Sequence, residues 1–141
     1  MKDLHSKVSV VQLIAAAVLA ADNTPVAVDL LGFESAEIAI AVGAGGITFS
    51  STNKIEFVLT HSDDDSSYAA VTDDDMIGVT DITTGIIKSL VAAHTTADVS
   101  RFGYIGGKRY LKLLADFSGT HGTGTPIAAV VVKGDPERAT A

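Results

Sequence analysis

The chain has 141 residues, a net charge of −7 at pH 7 and no cysteine. Its length suits a single domain, and a composition of 47% hydrophobic and 19% charged residues is too apolar for a disordered chain. The acidic balance disfavours direct nucleic-acid binding because phosphates would be repelled, and the lack of cysteine excludes disulfides, thiolate nucleophiles and cysteine-based zinc sites.

Residues 1–10 are mostly polar and show no hydrophobic periodicity. Terminal segments of this kind are commonly unstructured until a neighbouring molecule orders them. We therefore expect an N-terminal arm that extends from the domain, with Lys2 and Lys7 as its charged contacts for a partner.

The apolar run at residues 8–21 has two interpretations. Preceded by lysines and ending in small residues, it resembles a secretory signal peptide, although Asp3 and Gln12 interrupt that pattern. At about a dozen residues it is too short to cross a bilayer, which takes roughly 20. Alanine permits a helix while valine and isoleucine favour a strand, so we expect a buried strand or a short helix and no membrane partner.

Short segments of alternating hydrophobicity, separated by turn residues, follow along the rest of the chain. Period-two alternation predicts half-buried strands, and glycine, proline, asparagine and aspartate at the breaks predict turns. The predicted strands are residues 26–30, 36–42, 55–61, 68–71, 76–79, 86–91, 102–105, 110–117 and 127–132. The last of them is apolar throughout, which predicts a central position in its sheet.

This spacing predicts an all-β fold, an antiparallel β-sandwich of about eight to ten strands, with a jelly roll as one arrangement. We place this single domain at residues 11–134. The segment at residues 135–141 is predicted to be a C-terminal tail that leaves the domain.

Residues 101–117 combine a strand signal, a turn signal and positive charge. Alternation from residue 110 to residue 117 predicts a strand, and Gly106-Gly107 just before it predicts a hairpin turn that pairs this strand with residues 102–105. Four of the ten basic residues lie here: Arg101, Lys108, Arg109 and Lys112. Seven aspartates lie between Asp63 and Asp81. Such segregation favours head-to-tail contacts or docking on an oppositely charged lattice.

No motif predicts catalysis, a metal or a cofactor. The aspartate triplets at residues 63–65 and 73–75 offer oxygen ligands suited to Ca²⁺, but Tyr68 stands where an EF-hand loop needs glycine. Residues 103–108 fail as a phosphate-binding loop because Phe102 stands where the first glycine is needed. The four histidines have no metal-ligand spacing. We predict that the protein is not an enzyme, binds no cofactor and uses both acidic triplets as solvated loops.

Three segments follow one another in a recognisable order: residues 29–37 (DLLGFESAE), 56–64 (EFVLTHSDD) and 104–111 (YIGGKRYL). In this order they resemble the small head decoration, or cement, proteins of tailed double-stranded DNA bacteriophages. The resemblance extends over residues 22–136. It departs from the family in the acidic loop, where Asp64-Asp65 replaces a frequent Asp-Gly.

The resemblance implies a β-sandwich on the capsid exterior of a virion, often a homotrimer at three-fold positions, with the major capsid protein as its partner. We expect a non-catalytic protein that stabilises the capsid lattice. Its predicted capsid or subunit contacts are Lys2, Lys7, Arg101, Lys108, Arg109 and Lys112.

Two alternative functions stay open. One is a tail or head-spike component of the virion, which would use the same sandwich. The other is a carbohydrate-binding β-sandwich, whose sites usually present several exposed aromatic residues for stacking on sugars. The chain has no tryptophan and only 6% aromatic residues, which makes this alternative the weaker one.

Overall fold

The computed structural model describes residues 1–137 and contains two antiparallel sheets packed against each other. The strands are β1 (Ser9–Leu19), β2 (Val28–Asp29), β3 (Phe33–Val42), β4 (Lys54–Ser62), β5 (Ala69–Ala70), β6 (Met76–Ile77), β7 (Ile86–Leu90), β8 (Asp98–Tyr104), β9 (Tyr110–Ser118) and β10 (Thr125–Pro136). Sheet A has the order β1-β10-β3-β8-β6, and sheet B has the order β2-β9-β4-β5, with β7 also paired to β4. The predicted antiparallel β-sandwich is confirmed.

The main strand pairs are nested along the chain. β1 pairs with β10, β2 with β9, β3 with β8, and β4 with β5 and β7. Successive strands β1 to β4 alternate between sheet A and sheet B. This nested, alternating connectivity is the jelly-roll arrangement.

The core lies between the sheets and comes from alternate residues of the long strands. Ile55, Phe57 and Leu59 of β4 are fully buried, as the alternation in this segment predicts. The strands facing or flanking β4 contribute Ile38, Ile40, Val42, Leu111, Leu113, Ala115, Ile127, Ala129 and Val131. β10 lies between β1 and β3, so the central position predicted for its apolar run is also confirmed.

Several boundaries differ from the predicted ones. The ambiguous run is strand β1, and it begins at Ser9, so the last two residues of the predicted arm already pair with β10. β8 begins at Asp98, four residues before the strand predicted at residues 102–105. β10 continues to Pro136, past the predicted domain end at residue 134, because its last residues pair with β3. Of the predicted tail, residues 138–141 lie outside the described residues.

The predicted hairpin at Gly106-Gly107 is wrong. β8 pairs with β3 and β6 in sheet A, whereas β9 pairs with β4 and β2 in sheet B. Residues 105–109 therefore cross from one sheet to the other. Gly107 has a φ of +74°, a conformation that glycine adopts without the steric cost of a side chain. The glycine signal marks a real turn, but the turn changes sheets.

Helical structure within residues 1–137 is limited to two short 3₁₀ turns, at His5–Lys7 and Asp73–Asp75. Over the same residues, no helix has the length and hydrophobicity required to cross a membrane.

Candidate functional site

The outer face of sheet A is almost free of charge. Because the neighbouring residues in β10, β3 and β8 fill the core, every second residue of these strands points outward. Rows of outward residues across β10, β3 and β8 are Val132–Glu37–Gly103, Val130–Ala39–Arg101 and Ala128–Ala41–Val99. Glu37 and Arg101 are the charged members, and they pair with each other at 3.2 Å between Oε1 and Nη1. These rows therefore carry no net charge.

The outer face of sheet B has the opposite character. Its rows across β4 and β9 are Lys54–Ser118, Glu56–Asp116, Val58–Leu114 and Thr60–Lys112. Lys54 Nζ lies 3.0 Å from Glu56 Oε1 on this surface. Antiparallel sheets commonly place one polar face in water. Sheet B follows that pattern, whereas sheet A presents apolar residues on both of its faces, as contact surfaces do.

Strand β1 extends the apolar surface to the edge of sheet A. Val10 and Val18 are 60% and 62% exposed, and every side chain from residue 15 to residue 18 is exposed. A shallow cavity of about 520 Å³ lies here, lined by residues that include Ala16, Val18, Val99 and Pro126. Val99 is 71% exposed. We name the outward residues of β10, β3 and β8 together with strand β1 the apolar face.

The apolar face carried a signal in the sequence that the prediction did not use. In β3, Ala39 and Ala41 alternate with Ile38 and Ile40, so both faces of the strand are apolar. A strand that is apolar on both faces needs a partner on each. The sandwich supplies only one of them.

Two of the predicted basic contacts, Lys108 and Arg109, are engaged by neighbouring carboxylates. Arg109 donates from Nε to Asp29 Oδ1 at 2.9 Å and from Nη2 to Asp29 Oδ2 at 2.8 Å. These hydrogen bonds hold the pKa of Asp29 down at about 2. Lys108 Nζ lies 3.5 Å from Asp63 Oδ2. The stretch at 101–112 is therefore not an unpaired positive patch.

The remaining predicted contacts are spread over the molecule. Arg101 belongs to sheet A and pairs with Glu37. Lys112 belongs to sheet B, where its Nζ lies 4.3 Å from the centre of the Tyr68 ring. Lys2 and Lys7 are in the exposed N-terminal segment, in which the Lys7 amide donates to the Leu4 carbonyl at 3.0 Å.

The acidic loops use their carboxylates to hold backbone. Asp64 Oδ1 accepts from the amides of Ser66 and Ser67, both at 2.9 Å, which lowers the pKa of Asp64 to about 2. Asp75 Oδ2 accepts from the Thr72 amide at 2.8 Å and caps the second 3₁₀ turn. Within residues 1–137, no group of three histidine or acidic side chains is placed to hold a metal ion.

A buried polar contact joins the two sheets at the crossover and was not predicted. His61 of β4 is 5% exposed, and its Nδ1 lies 2.8 Å from Tyr104 Oη of β8. The same oxygen accepts from the Lys108 amide at 3.0 Å, so the Tyr104 hydroxyl donates to His61. Burial lowers the pKa of His61 and raises the pKa of Tyr104 to about 12. This contact fixes the crossover against sheet B.

A cleft of about 480 Å³ lies beside the crossover, lined by residues that include Phe33, Tyr104, Lys108 and Arg109. Its cations already bind Asp63 and Asp29, and its tyrosine is engaged by His61. The polar groups of the cleft are therefore already hydrogen-bonded within the fold. Excluding water from the apolar face, in contrast, lowers the free energy.

Comparison of the chain with family models, with curated proteins and with solved structures found no match. The site is consequently defined by geometry and composition. What the geometry describes is an apolar sheet surface without net charge, of the kind that contact surfaces present.

Proposed function

We propose that this protein is a non-catalytic structural component of a tailed-phage virion that binds the outside of the head and stabilises the capsid lattice. The apolar face is the observation that carries the proposal, because a sheet surface of this kind is stabilised when another protein covers it. The resemblance of residues 29–37, 56–64 and 104–111 to head decoration proteins supports a capsid as that partner.

The mechanics of a phage head explain how such a surface serves it. Packed DNA presses outward on the shell, and a protein that contacts several major capsid subunits resists their separation. Weak individual contacts add up when several copies or several surfaces engage together. A homotrimer at three-fold positions on the capsid exterior, which the resemblance implies, has this property.

The fold is compatible with the proposal without deciding it. Jelly rolls occur in viral capsid proteins and in lectins, and a fold by itself does not define a function. The composition of the apolar face favours protein contact over sugar binding, since its outward rows contain no aromatic residue.

The geometry moves the proposed contact from the basic residues to the apolar face. Reversing the charge of Lys108 or Arg109 would place like charges beside Asp63 or Asp29 and disturb the fold. The segment at residues 1–8, of which residues 1–7 are exposed, adjoins β1 and remains a second proposed contact.

The test compares two valine-to-glutamate variants in co-sedimentation with undecorated phage heads over a concentration series. Val99 lies in the apolar face and is 71% exposed, and Val26 lies before β2 and is 60% exposed. We expect saturable binding of the unaltered protein at a fixed copy number per capsid subunit. Val99→Glu should weaken it at least about tenfold, because docking would bury an unpaired carboxylate.

Val26→Glu is the matched control and should bind as the unaltered protein does. Failure of the unaltered protein to bind competent heads would contradict the proposal, and binding to purified tails instead would favour a tail component. Full binding by Val99→Glu would contradict the assignment of the contact to the apolar face.

A further inference from the structure

Strand β1 is a long edge strand without charge. Ser9–Leu19 is an eleven-residue strand that contains no acidic or basic residue. It pairs with β10 on one side and is the outermost strand of sheet A. An edge strand leaves a row of backbone donors and acceptors that can pair with another strand.

The other sheet edges within residues 1–137 are shorter, charged or covered. β2, β5 and β6 have two residues each. The part of β8 beyond β6 carries Asp98 and Arg101. Beyond β2, the edge of β9 is covered by Asn23, which accepts from the Ala115 amide at 2.7 Å and donates to the Leu113 carbonyl at 3.2 Å. Protection of this kind is how proteins avoid unwanted strand pairing. β1 lacks it.

We propose that β1 pairs in an antiparallel manner with β1 of a second copy of this chain, across a two-fold axis. A two-fold contact places the same surface on both partners, so the strand must be complementary to itself. Paired strands lie about 4.8 Å apart, and like charges directly opposite one another are destabilising. With a net charge of −7 on each copy, an uncharged strand is where two copies approach with the least repulsion.

The exposed side chains of β1 leave room for the backbone of a second copy. The side chains from residue 15 to residue 18 are exposed, and three of them are alanines that allow another backbone to approach closely. Within residues 1–137, β10 is the strand that pairs with β1, and no strand pairs with its other edge.

The pairing goes beyond the proposed function because it requires no capsid. It would join two five-stranded A sheets into one continuous sheet. The outer faces of both sheets would then lie side by side, so that one pair of copies presents two apolar faces to a common surface.

The experiment measures the mass of the purified protein without heads, by sedimentation and light scattering over a concentration series. We expect pairs, or six copies if a ring of three also forms through other surfaces. Ala16→Lys should halve the mass. In the pair, each lysine would lie beside β1 of the other copy and lose water from its ammonium group, whereas on an unpaired edge it stays hydrated. Ala69→Lys, the same change on edge strand β5 of sheet B, is the matched control and should leave the mass unchanged.

Hydrogen exchange separates lost pairing from lost folding. In Ala16→Lys the amides of β10 should keep their protection, while those β1 amides that point away from β10 should exchange faster than in the unaltered protein. A loss of protection in β10 would mean that the variant unfolds, and Val18→Lys would then take its place.

Three results would overturn the proposal. The first is a mass of one or three copies for the unaltered protein at concentrations that saturate heads. The second is an unchanged mass for Ala16→Lys that remains folded, and the third is a fall in mass for Ala69→Lys as large as that for Ala16→Lys. Head binding is measured separately. Paired copies that do not bind heads would contradict the proposed function alone, and single copies that bind heads would contradict the pairing alone.

Discussion

His61 holds the two sheets together through a hydrogen bond that depends on its protonation state. The neutral ring accepts a hydrogen bond from the Tyr104 hydroxyl at Nδ1, and its Nε2 lies 3.9 Å from Asp75 Oδ2. A protonated ring donates from both nitrogens, so the Tyr104 hydroxyl loses its acceptor. The nearby carboxylates of Asp75 and Asp63 favour the protonated ring, whereas burial and Lys108 oppose it, and the net effect is a lowered pKa.

This contact predicts a loss of stability in mildly acidic solution. Because the pKa of His61 is lower in the folded protein, the unfolded chain gains a proton first as the pH falls. The contribution of His61 is therefore complete above its unfolded pKa of about 6.5 and is lost as the pH falls through the folded pKa. Urea unfolding at a series of pH values across this range should show that the free energy of unfolding of the unaltered protein falls as the pH falls. The fall should be smaller in His61→Gln.

The carboxylates provide an internal comparison for that experiment. Asp29 and Asp64, each with a pKa of about 2, contribute stability that is lost only below their ordinary value of 3.8. A fall in the free energy of unfolding that begins just below pH 6.5 thus comes from a histidine. An equal fall in His61→Gln would assign it to a histidine other than His61.

At the scale of single elements, alternation identifies the buried residues because each strand has one face toward the core. Ile38, Phe57 and Leu113 are all fully buried, as predicted. Alternation is a local property and does not specify partners. It could not show that β8 and β9 belong to different sheets, so the glycines at 106–107 were interpreted as a hairpin.

The candidate site was less predictable than the core for the same reason. The ion pairs of Arg109 with Asp29 and of Arg101 with Glu37 join residues far apart in sequence. Without the sheet registers, the basic stretch could only be interpreted as a free patch. The neutral outer face of sheet A likewise depends on which strands lie side by side.

Two isoleucines test the division between the core and the outer face. Ile38 in β3 is fully buried, and Ile77 in β6 is 58% exposed. Ile38→Ala should lower the free energy of unfolding by about 2–5 kcal/mol because it leaves a cavity in the core. Ile77→Ala should change it by no more than about 0.5 kcal/mol. Urea denaturation of both variants measures the difference, and equal losses would contradict the packing of sheet A against sheet B.

For the whole molecule, the distribution of charge predicts how head binding responds to salt. The outward rows of sheet A carry one acid and one base that pair with each other. Salt screens contacts between exposed charges and has little direct effect on apolar contacts. Raising sodium chloride should therefore change head binding by less than about threefold, since the contact lacks net charge.

Co-sedimentation at low and high salt measures this response. A steep loss of binding with salt would instead indicate contacts made by the basic side chains, with Lys2 and Lys7 of the exposed segment as the first to replace by glutamine. Head binding by the two glutamine variants would then identify the contact.

The nested strand order also determines when each strand finds its partner during synthesis. Ser9 of β1 pairs with Lys133 of β10, so nearly the whole chain must leave the ribosome before β1 can join its sheet. The innermost pair, β4 with β5, becomes available much earlier. Until β10 emerges, β1 is an uncharged, apolar strand with both edges open, and neighbouring nascent chains carry the same strand. The rate of translation through the last strand thus limits how long identical chains on one messenger RNA can associate before folding is complete.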